Sequence, residues 1–379
     1  MPDQAGRAPL VLHVFPTFDV GGAQSRFATL ANRLGPRLRH LVIAMDARYG
    51  CRERLDPALD IAYPDVEIRK GDTRGNLRRF RAALRAWRPD LLVTSNWGSI
   101  EWAMAAAIPP RPVRHLHMED GFGPEERDRQ VPRRVWTRRL VLSRSLTVVP
   151  SRNLERIARE VWRLPRGRVR YVANGVDLTR VEPDPVPGEG LVVGTIAGLR
   201  AEKSVDRLVR AFALAQGRLS ARSSARSPSV RAARLLIVGD GPERPALTRL
   251  AADLGIAQRT HFAGHVAKPL GLLAAMDVFA LSSDTEQMPL SLLEAMSAGK
   301  PVVATAVGDV AEMLAPENRA YAVARDDAAF ADALVLLLDD AAQRRALGAA
   351  NRARAEAVYS EQAMVKTWAE LLGAAPPGA

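Results

Sequence analysis

Residues 278–305, VFALSSDTEQMPLSLLEAMSAGKPVVAT, contain two apolar runs separated by a polar loop and an apolar helical pattern. The runs Val278–Leu281 and Pro301–Thr305 are typical of buried strands, and Leu290–Ala298 is typical of a helix. A strand, a helix and a second strand in this order predict a parallel β-α-β unit. Because ligands of open parallel sheets bind beyond the carboxyl ends of the strands, the loop Ser282–Pro289 is a candidate binding loop.

The same alternation of apolar runs and amphipathic stretches extends along most of the chain. Towards the N-terminus the predicted strands are Leu10–Phe15, Leu41–Met45, Leu91–Thr94, Val113–His117, Leu146–Val149 and Val169–Val172. Further on, Leu191–Ala197 and Leu235–Gly239 precede the two runs already quoted. Between these halves, VEPDPVPGEG at 181–190 has three prolines and two glycines, which predict a linker. We therefore predict two α/β domains over residues 1–185 and 186–359, followed by a C-terminal helix and tail over 360–379.

The composition is that of a soluble globular protein, with 379 residues, 47% hydrophobic and 25% charged. Cys51 is the single cysteine, so no intrachain disulfide can form. The first residues lack the pattern of a signal peptide, and no run of about 18 apolar residues predicts a membrane helix. We expect a cytoplasmic protein, either free or peripheral on the inner face of the cytoplasmic membrane.

The positive charge is confined to the first half of the chain. Residues 1–185 contain 33 Lys and Arg against 21 Asp and Glu, whereas residues 186–379 contain 21 of each. The excess favours an anionic acceptor or an anionic membrane surface, or else serves only solubility. Nucleic acid is not expected, because no nucleic-acid-binding motif accompanies the charge. Two amphipathic stretches are surrounded by arginines. One ends at Trp87 and has Arg74, Arg78, Arg79, Arg81 and Arg85, and the other contains Trp136 and has Arg133, Arg134, Arg138 and Arg139. Gly217–Arg231, rich in Arg and Ser, is expected to be a surface insertion.

Two loops that follow predicted strands have residues suited to phosphate. In Phe15–Gln24, FPTFDVGGAQ, Gly21 and Gly22 allow the backbone to approach a ligand, and a helix N-terminus follows. In GLRAEKS at 198–204, Arg200 and Lys203 lie three apart at a helix entrance. Two cations at a helix N-terminus can neutralise a leaving diphosphate without a metal.

The third loop and the helix after it contain two carboxylates separated by seven residues, Glu286 before the helix and Glu294 within it. A carboxylate on so apolar a helix costs several kcal/mol unless it is paired, and a sugar or ribose diol supplies two donors. Pro289 is suited to the first turn of the helix. The backbone N–H groups of Gln287 and Met288, at the helix start, are suited to a phosphate or a developing charge.

This E-x7-E pattern, followed by EAMSAGKPVVATAVGDVAEML, resembles the retaining glycosyltransferases of family 4. The resemblance extends through VANGVDLTRV, GTIAGLRAEKSVDRLVRAF, LLIVGDGPERPALTRLAADLGI and the first Gly-Gly loop, and covers nearly all of the chain. It implies the GT-B fold, in which two Rossmann-like domains face a central cleft. It also implies a nucleotide-sugar donor as co-substrate, no cofactor and no metal.

The resemblance assigns a role to each candidate residue. Arg200 and Lys203 would hold the donor diphosphate, Glu286 the hydroxyls of the transferred sugar and Glu294 the ribose diol. Gly22 would approach the distal phosphate. The segment RHLHMEDGFG offers His115 or His117 to the sugar, and we favour His117, which lies nearer the loop.

Three features, at four positions, depart from the family pattern. Gln287 stands where a glycine often follows the first glutamate, and Asp309 replaces the second glycine of a later Gly-Gly pair. Glu119 and Asp120 form an unusual acidic pair, suited either to an acceptor hydroxyl and proton transfer or to capping a helix.

The sequence thus predicts a retaining, metal-independent hexosyltransferase that acts on a glycan or lipid-linked acceptor in polysaccharide or cell-envelope glycan assembly. Two alternatives remain open. One is another GT-B enzyme, such as a nucleotide-sugar epimerase, and the other is a non-catalytic nucleotide-sugar-binding module. An NAD enzyme is disfavoured, because Arg244 stands where the third glycine of a dinucleotide fingerprint belongs.

Overall fold

The computed structural model describes residues 7–111, 113–126, 129–221 and 232–374. These residues form two compact units. The first unit runs to Asn174 and includes the chain from Gln362 onward, and the second unit is Gly175–Glu361.

The first unit is built on a parallel sheet with the strand order β3-β2-β1-β4-β5-β6-β7. The strands are β1 Leu10–Phe15, β2 Arg39–Ala44, β3 Ile61–Ala62, β4 Leu91–Ser95, β5 Arg114–Met118, β6 Leu146–Val149 and β7 Val169–Tyr171. The helices are α1 Gly22–Leu34, α2 Thr73–Trp87, α3 Ile100–Ala107, α4 Pro132–Leu142 and α5 Arg152–Glu160. Phe80 of α2 stacks on Trp102 of α3 at 4.2 Å between ring centroids, and both side chains are buried. Cys51 is also buried, and burial raises the pKa of its thiol to about 11.

The second unit contains a parallel sheet with the order β10-β9-β8-β11-β12-β13. Its strands are β8 Val192–Ile196, β9 Arg234–Val238, β10 Thr260–Gly264, β11 Val278–Leu281, β12 Val302–Thr305 and β13 Ala322–Val323. Its helices are α6 Val205–Ala221, α7 Arg244–Asp253, α8 Leu270–Ala274, α9 Leu290–Ser297, α10 Val310–Met313, α11 Asp327–Asp339 and α12 Ala341–Val358. The central strands are fully buried, because helices cover both faces of the sheet.

Both sheets have a point at which the chain reverses the direction in which it adds strands. This point lies between β1 and β4 in the first unit and between β8 and β11 in the second. In open α/β sheets such a point opens a crevice at the carboxyl ends of the strands, where ligands bind. The prediction of two Rossmann-like domains is confirmed by these strand orders.

The boundary between the units differs from the predicted one at residue 185. Residues after Gly175 join the second unit because Val176 N–H donates to Tyr359 O at 2.8 Å and Arg352 donates to Leu178 O at 3.0 Å. The predicted surface insertion was wrong for Gly217–Ala221, because these residues continue α6. The rest of that prediction, residues 222–231, lies outside the described ranges.

The last helix, α13 Glu361–Leu372, belongs almost entirely to the first unit. It buries Met364, Val365 and Trp368 against Val11, Leu30 and their neighbours. The predicted separate C-terminal segment therefore completes the core of the first domain. Within the described residues, no helix is both long and apolar enough to cross a membrane.

Candidate functional site

The loop after β8 presents Arg200 at the surface. Arg200 has an extended backbone just before the short 3-10 helix Ala201–Lys203, and its side chain is 61% exposed. Its Nε donates to Glu202 Oε1 at 2.8 Å. An exposed ion pair of this kind contributes less than about 1 kcal/mol, so an anionic ligand can draw the guanidinium away at little cost.

Lys203 lies deeper and contacts the loop after β11. Its Nζ donates to Glu286 Oε1 at 2.6 Å, and the side chains are 20% and 8% exposed. Ser283 Oγ donates to the same oxygen at 2.7 Å. The structure thus joins two residues that the sequence predicted for the diphosphate and the sugar. Ser283, which holds Glu286 in place, was missed.

Hydrogen bonds fix the two loops against each other. Asp284 N–H donates to Glu202 O at 2.9 Å. Arg207, in the first turn of α6, donates to Ser282 O at 2.6 Å and to Asp284 Oδ1 at 2.8 Å. Since β8 and β11 pair in parallel, both loops leave the same edge of the sheet at the reversal point. Sequence reasoning also missed Arg207, because a cation on a helix carries no signal of its partner.

Gly308 brings a third loop, the one after β12, against Glu286. Its φ is +53°, and a Cβ built there would lie 1.9 Å from Glu286 O. A side chain at this position would both strain the backbone and displace Glu286. The sequence signal was the glycine itself, three residues after the end of a predicted strand.

The remaining donor-binding candidates lie at and after the start of α9. Met288 and Pro289 are buried, and Gln287 and Glu294 are half-buried. Pro289 precedes the first helical residue rather than lying within the first turn. Glu294 is the half-buried residue on a helix whose other central residues are buried, as its sequence pattern predicted. Its pairing with a ribose diol stays a prediction.

In the first unit, Gly21 and Gly22 end the loop after β1 and begin α1. Gly21 is extended at φ −158°, and its carbonyl accepts the first helical bond from Ser25 N–H at 2.8 Å. Gly22 is exposed, and a Cβ built there meets nothing within 4 Å. The fold of the described residues therefore does not itself require a glycine at 22.

The two candidate histidines lie on β5 and share one partner. Thr94 Oγ1 is 2.8 Å from His115 Nε2 and 2.8 Å from His117 Nδ1. His115 Nδ1 also contacts Ser145 Oγ at 2.7 Å, and burial lowers the pKa of His115 to about 3. His117 is fully buried, and its Nε2 lies 3.5 Å from Glu119 Oε2. The favoured role of His117 at the sugar stays a prediction.

Arginines engage both carboxylates of the acidic pair. Buried Arg138 donates through Nε to Glu119 Oε2 at 3.1 Å and through both terminal nitrogens to Glu126. Buried Arg26 binds Asp120 through two hydrogen bonds, at 2.6 and 2.9 Å. These contacts give the acidic pair a structural role, which is neither of the two considered from the sequence. Acceptor binding by these carboxylates stays a prediction.

Several arginines of α2 and α4 have partners within the fold. Arg138 is buried among Trp97, Phe122 and Trp162, and Arg134 pairs with Glu125 and Glu126. Arg79 and Arg81 are tied to neighbouring side chains and carbonyls, and Trp87 packs near Trp102 at 6.2 Å between ring centroids. Partners within the fold therefore use the charge of Arg134 and Arg138. Docking of the basic half on a membrane stays a prediction.

Two family models match the chain over most of its length. "Glycosyltransferase Family 4" matches residues 20–180, and "Glycosyl transferases group 1" matches residues 190–340. The chain thus contains a domain of glycosyltransferase family 4 and a domain of the group 1 glycosyltransferases. The resemblance to family 4 is thereby confirmed.

Curated glycosyltransferases are similar to these domains over part of their length. The lipopolysaccharide core biosynthesis glycosyltransferase LpsD of Rhizobium meliloti is 33% identical over 138 residues, 36% of this chain and 40% of that protein. The D-inositol 3-phosphate glycosyltransferase of Nocardia farcinica is 31% identical over 256 residues, 62% of this chain and 53% of that protein. The chain thus spans about half the length, or less, of the curated relatives it matches.

A solved structure supports the glycosyltransferase fold across both domains. Anabaena Alr3699/HepE, solved in complex with UDP, has a TM-score of 0.77 at 19% identity and covers 96% of this chain and 99% of its own. At this identity the likeness concerns the fold. The predicted GT-B fold class is confirmed.

Proposed function

We propose that this chain is a glycosyltransferase that moves a sugar from a nucleotide-sugar donor to a glycan or lipid-linked acceptor in polysaccharide or cell-envelope glycan assembly. The observation that carries the proposal is the contact of Lys203 Nζ with Glu286 Oε1 at the reversal point of the second sheet. A cation for phosphate and a carboxylate for hydroxyls are the two groups that a sugar diphosphate requires.

The donor would be held by the two loops at this point. Lys203 has three N–H donors, and the contact with Glu286 uses one, so others can face a diphosphate. Exposed Arg200 would exchange Glu202 for the same diphosphate. The bonds from Lys203 and Ser283 both end on Glu286 Oε1, which leaves Oε2 to accept from hydroxyls of the sugar. Glu294 would bind the ribose diol.

The proposed reaction retains the configuration of the sugar. The bond from the sugar to the diphosphate breaks as the acceptor oxygen attacks from the same face, and the departing phosphate takes the acceptor proton. Arg200 and Lys203 would stabilise the negative charge on the phosphate, so that no divalent metal is needed. Gly22 would approach the distal phosphate, and His117 would contact the sugar.

Incubation with labelled UDP-, GDP- and ADP-sugars, with and without acceptor, tests the proposal. A labelled glycan or lipid product supports transfer, and its anomeric configuration tests retention. Conversion of the donor to its epimer would support the alternative enzyme, and binding without turnover would support a non-catalytic module. Activity that disappears in EDTA and returns with manganese would contradict metal independence.

A pair of arginine variants tests the diphosphate role directly. Arg200→Ala should lower kcat/KM about 10- to 100-fold, because a hydrogen bond to a charged group contributes about 1.5–3 kcal/mol. Arg156→Ala is the matched control, since Arg156 is also about 60% exposed and pairs with Glu160 in the first unit. Equal activity in the two variants would remove Arg200 from the mechanism.

We also propose that the first unit docks on an anionic membrane surface through one face of α4. Trp136 and Leu140, one turn apart, are 58% and 70% exposed. Arg133 is exposed one turn before Trp136, and Arg139 lies over the Trp136 ring at 5.1 Å. Aromatic and aliphatic side chains flanked by arginine are suited to the headgroup region. The basic excess of residues 1–185 adds attraction to an anionic leaflet.

Sedimentation with vesicles of anionic lipid tests this face. The wild-type chain should pellet at low salt and less at high salt, and a Trp136→Ser, Leu140→Ser variant should remain in the supernatant. Leu336→Ser is the control, because Leu336 is equally exposed, at 58%, in the second unit. Wild-type protein that stays soluble at low salt would end the membrane proposal and leave the transferase proposal intact.

A further inference from the structure

A cavity of about 620 Å³ opens at the amino-terminal edge of the first sheet. The first residues of β4, β5 and β6, Leu91, Arg114 and Leu146, line it. The Gly21–Gly22 loop follows the carboxyl end of β1, which runs parallel to β4. The cavity therefore lies at the opposite edge of this sheet from the glycine loop. An inference drawn from the cavity does not depend on the proposed function.

Four arginines surround the cavity: Arg111, Arg114, Arg144 and Arg168. All four are exposed, and none forms a side-chain hydrogen bond or ion pair with another described residue. No acidic residue is among the described residues that line the cavity. This separates the four from Arg26, Arg134 and Arg138 of the same unit, whose charges are neutralised by carboxylates.

The rest of the lining is mainly apolar and includes Leu116 of β5, Val141 of α4 and Leu371 of α13. His115 also lines the cavity, but its buried ring is neutral at physiological pH, since its pKa is lowered to about 3. The cavity thus combines an apolar interior with positive charge that comes from guanidinium groups alone. A volume of this size is within the range of small-molecule sites.

We propose that this cavity binds a phosphate group attached to an apolar body. Guanidinium groups bind phosphate oxygens through paired hydrogen bonds. Four guanidinium groups supply more positive charge than a ligand with a single carboxylate would need, which favours a phosphate. The leucine and valine side chains would cover the apolar body. A soluble phosphate monoester and the headgroup of an anionic lipid share this chemistry.

The experiment titrates the full chain with phenyl phosphate in a calorimeter and, in a second arm, with phosphatidylcholine vesicles that contain phosphatidic acid. The test variant is Arg144→Gln with Arg168→Gln. The control variant is Arg156→Gln with Arg159→Gln, which removes the same charge from the same unit at arginines that pair with glutamates. A titration with inorganic phosphate, compared with that of phenyl phosphate, measures how much the apolar body contributes to affinity.

We expect binding in at least one arm, about tenfold or more weaker in the test variant and unchanged in the control. Binding of phenyl phosphate, tighter than inorganic phosphate, identifies a soluble ligand. Binding only to phosphatidic acid vesicles, when it is weakened in the test variant and unchanged in the control, identifies a lipid headgroup in the cavity. Vesicle binding that the test variant leaves unchanged would overturn the proposal, because the exposed face of α4 would then account for it. An absence of binding in both arms, or equal weakening in both variants, would overturn the proposal, because the general positive charge of the unit would then account for any attraction.

Discussion

The two units share a strand order around their reversal points but use the carboxylates that follow their strands differently. In the first unit, Glu119 and Asp120 follow β5, and buried Arg138 and Arg26 engage them. In the second unit, Glu286 follows β11 and forms an ion pair with Lys203, whose side chain is partly exposed. A carboxylate after a parallel strand is therefore not by itself a ligand site. The role of such a carboxylate depends on its cationic partner. A buried arginine is engaged within the fold, whereas a partly exposed lysine can also bind a ligand.

The tryptophans make this comparison measurable. All six lie in the first unit, at 87, 97, 102, 136, 162 and 368. Tryptophan fluorescence therefore reports the unfolding of the first unit, whereas circular dichroism reports both. Stability predictions for the two units can thus be separated in one titration.

The largest expected effect is loss of the buried cation of the first unit. Arg138→Leu leaves buried Glu119 without its arginine and buried Glu126 with Arg134 alone, and breaking a buried pair on one side costs about 3–5 kcal/mol. Urea unfolding followed by tryptophan fluorescence should show this loss. Arg210→Leu, which removes a partly exposed cation of the second unit, should cost less than about 1 kcal/mol. Similar losses in both variants would contradict the distinction.

The second effect is selective loss of stability of the first unit in acid. Burial lowers the pKa of His40 from 6.5 to about 4 and that of its neighbour His13 well below 6.5. Because the unfolded chain binds these protons first, stability is complete above pH 6.5 and falls as the pH drops towards 4. His40 alone accounts for about 3 kcal/mol by pH 4.

Urea titrations at pH 7.5, 5.5 and 4.5 check this expectation. The fluorescence midpoint should fall with each step, and His40→Leu should reduce the slope of stability against pH. A fluorescence midpoint that stays constant over this range would contradict the burial of neutral histidines in the first unit.

The smallest expected effect on stability comes from Gly22, which is compared with Gly308. Gly22→Ala should leave stability unchanged or raise it by less than about 1 kcal/mol, because a Cβ there meets nothing and alanine favours a helix. Gly308→Ala should destabilise the second unit, since the Cβ would meet Glu286 O. Sugar transfer should fall in both variants. At Gly22 it should fall because the added methyl group would lie against the distal phosphate of the donor. Full activity of Gly22→Ala would remove this loop from donor binding.

The sequence predicted elements with strong apolar patterns and missed those without. The strands Leu10–Phe15, Leu146–Val149 and Val278–Leu281 were predicted with the observed bounds. The strands Ile61–Ala62 and Ala322–Val323 were missed, because two partly exposed residues at a sheet edge leave no periodic signal.

Long-range partners were the other limit of the sequence. The last helix was predicted within one residue of its start, but nothing in its pattern indicates that Trp368 packs under Arg26 at 5.7 Å. In the same way, Lys203 and Glu286 were both singled out, yet their direct contact depends on the pairing of β8 with β11. A local sequence pattern does not specify which distant strands pair, so this pairing is known only from the structure.

The central claim is that the second unit holds the diphosphate of the donor through Lys203 and Arg200. Calorimetric titration of the full chain with UDP and GDP, in EDTA, tests it most directly. We predict that one of these nucleotides binds and that Lys203→Met weakens its binding about 10- to 100-fold, since each charge-assisted hydrogen bond contributes about 1.5–3 kcal/mol. Lys300→Met is the control, because Lys300 is a half-buried lysine of the same unit that donates to Ala274 O at 2.6 Å. Equal affinity in wild type and Lys203→Met, with the melting temperature unchanged, would contradict the account.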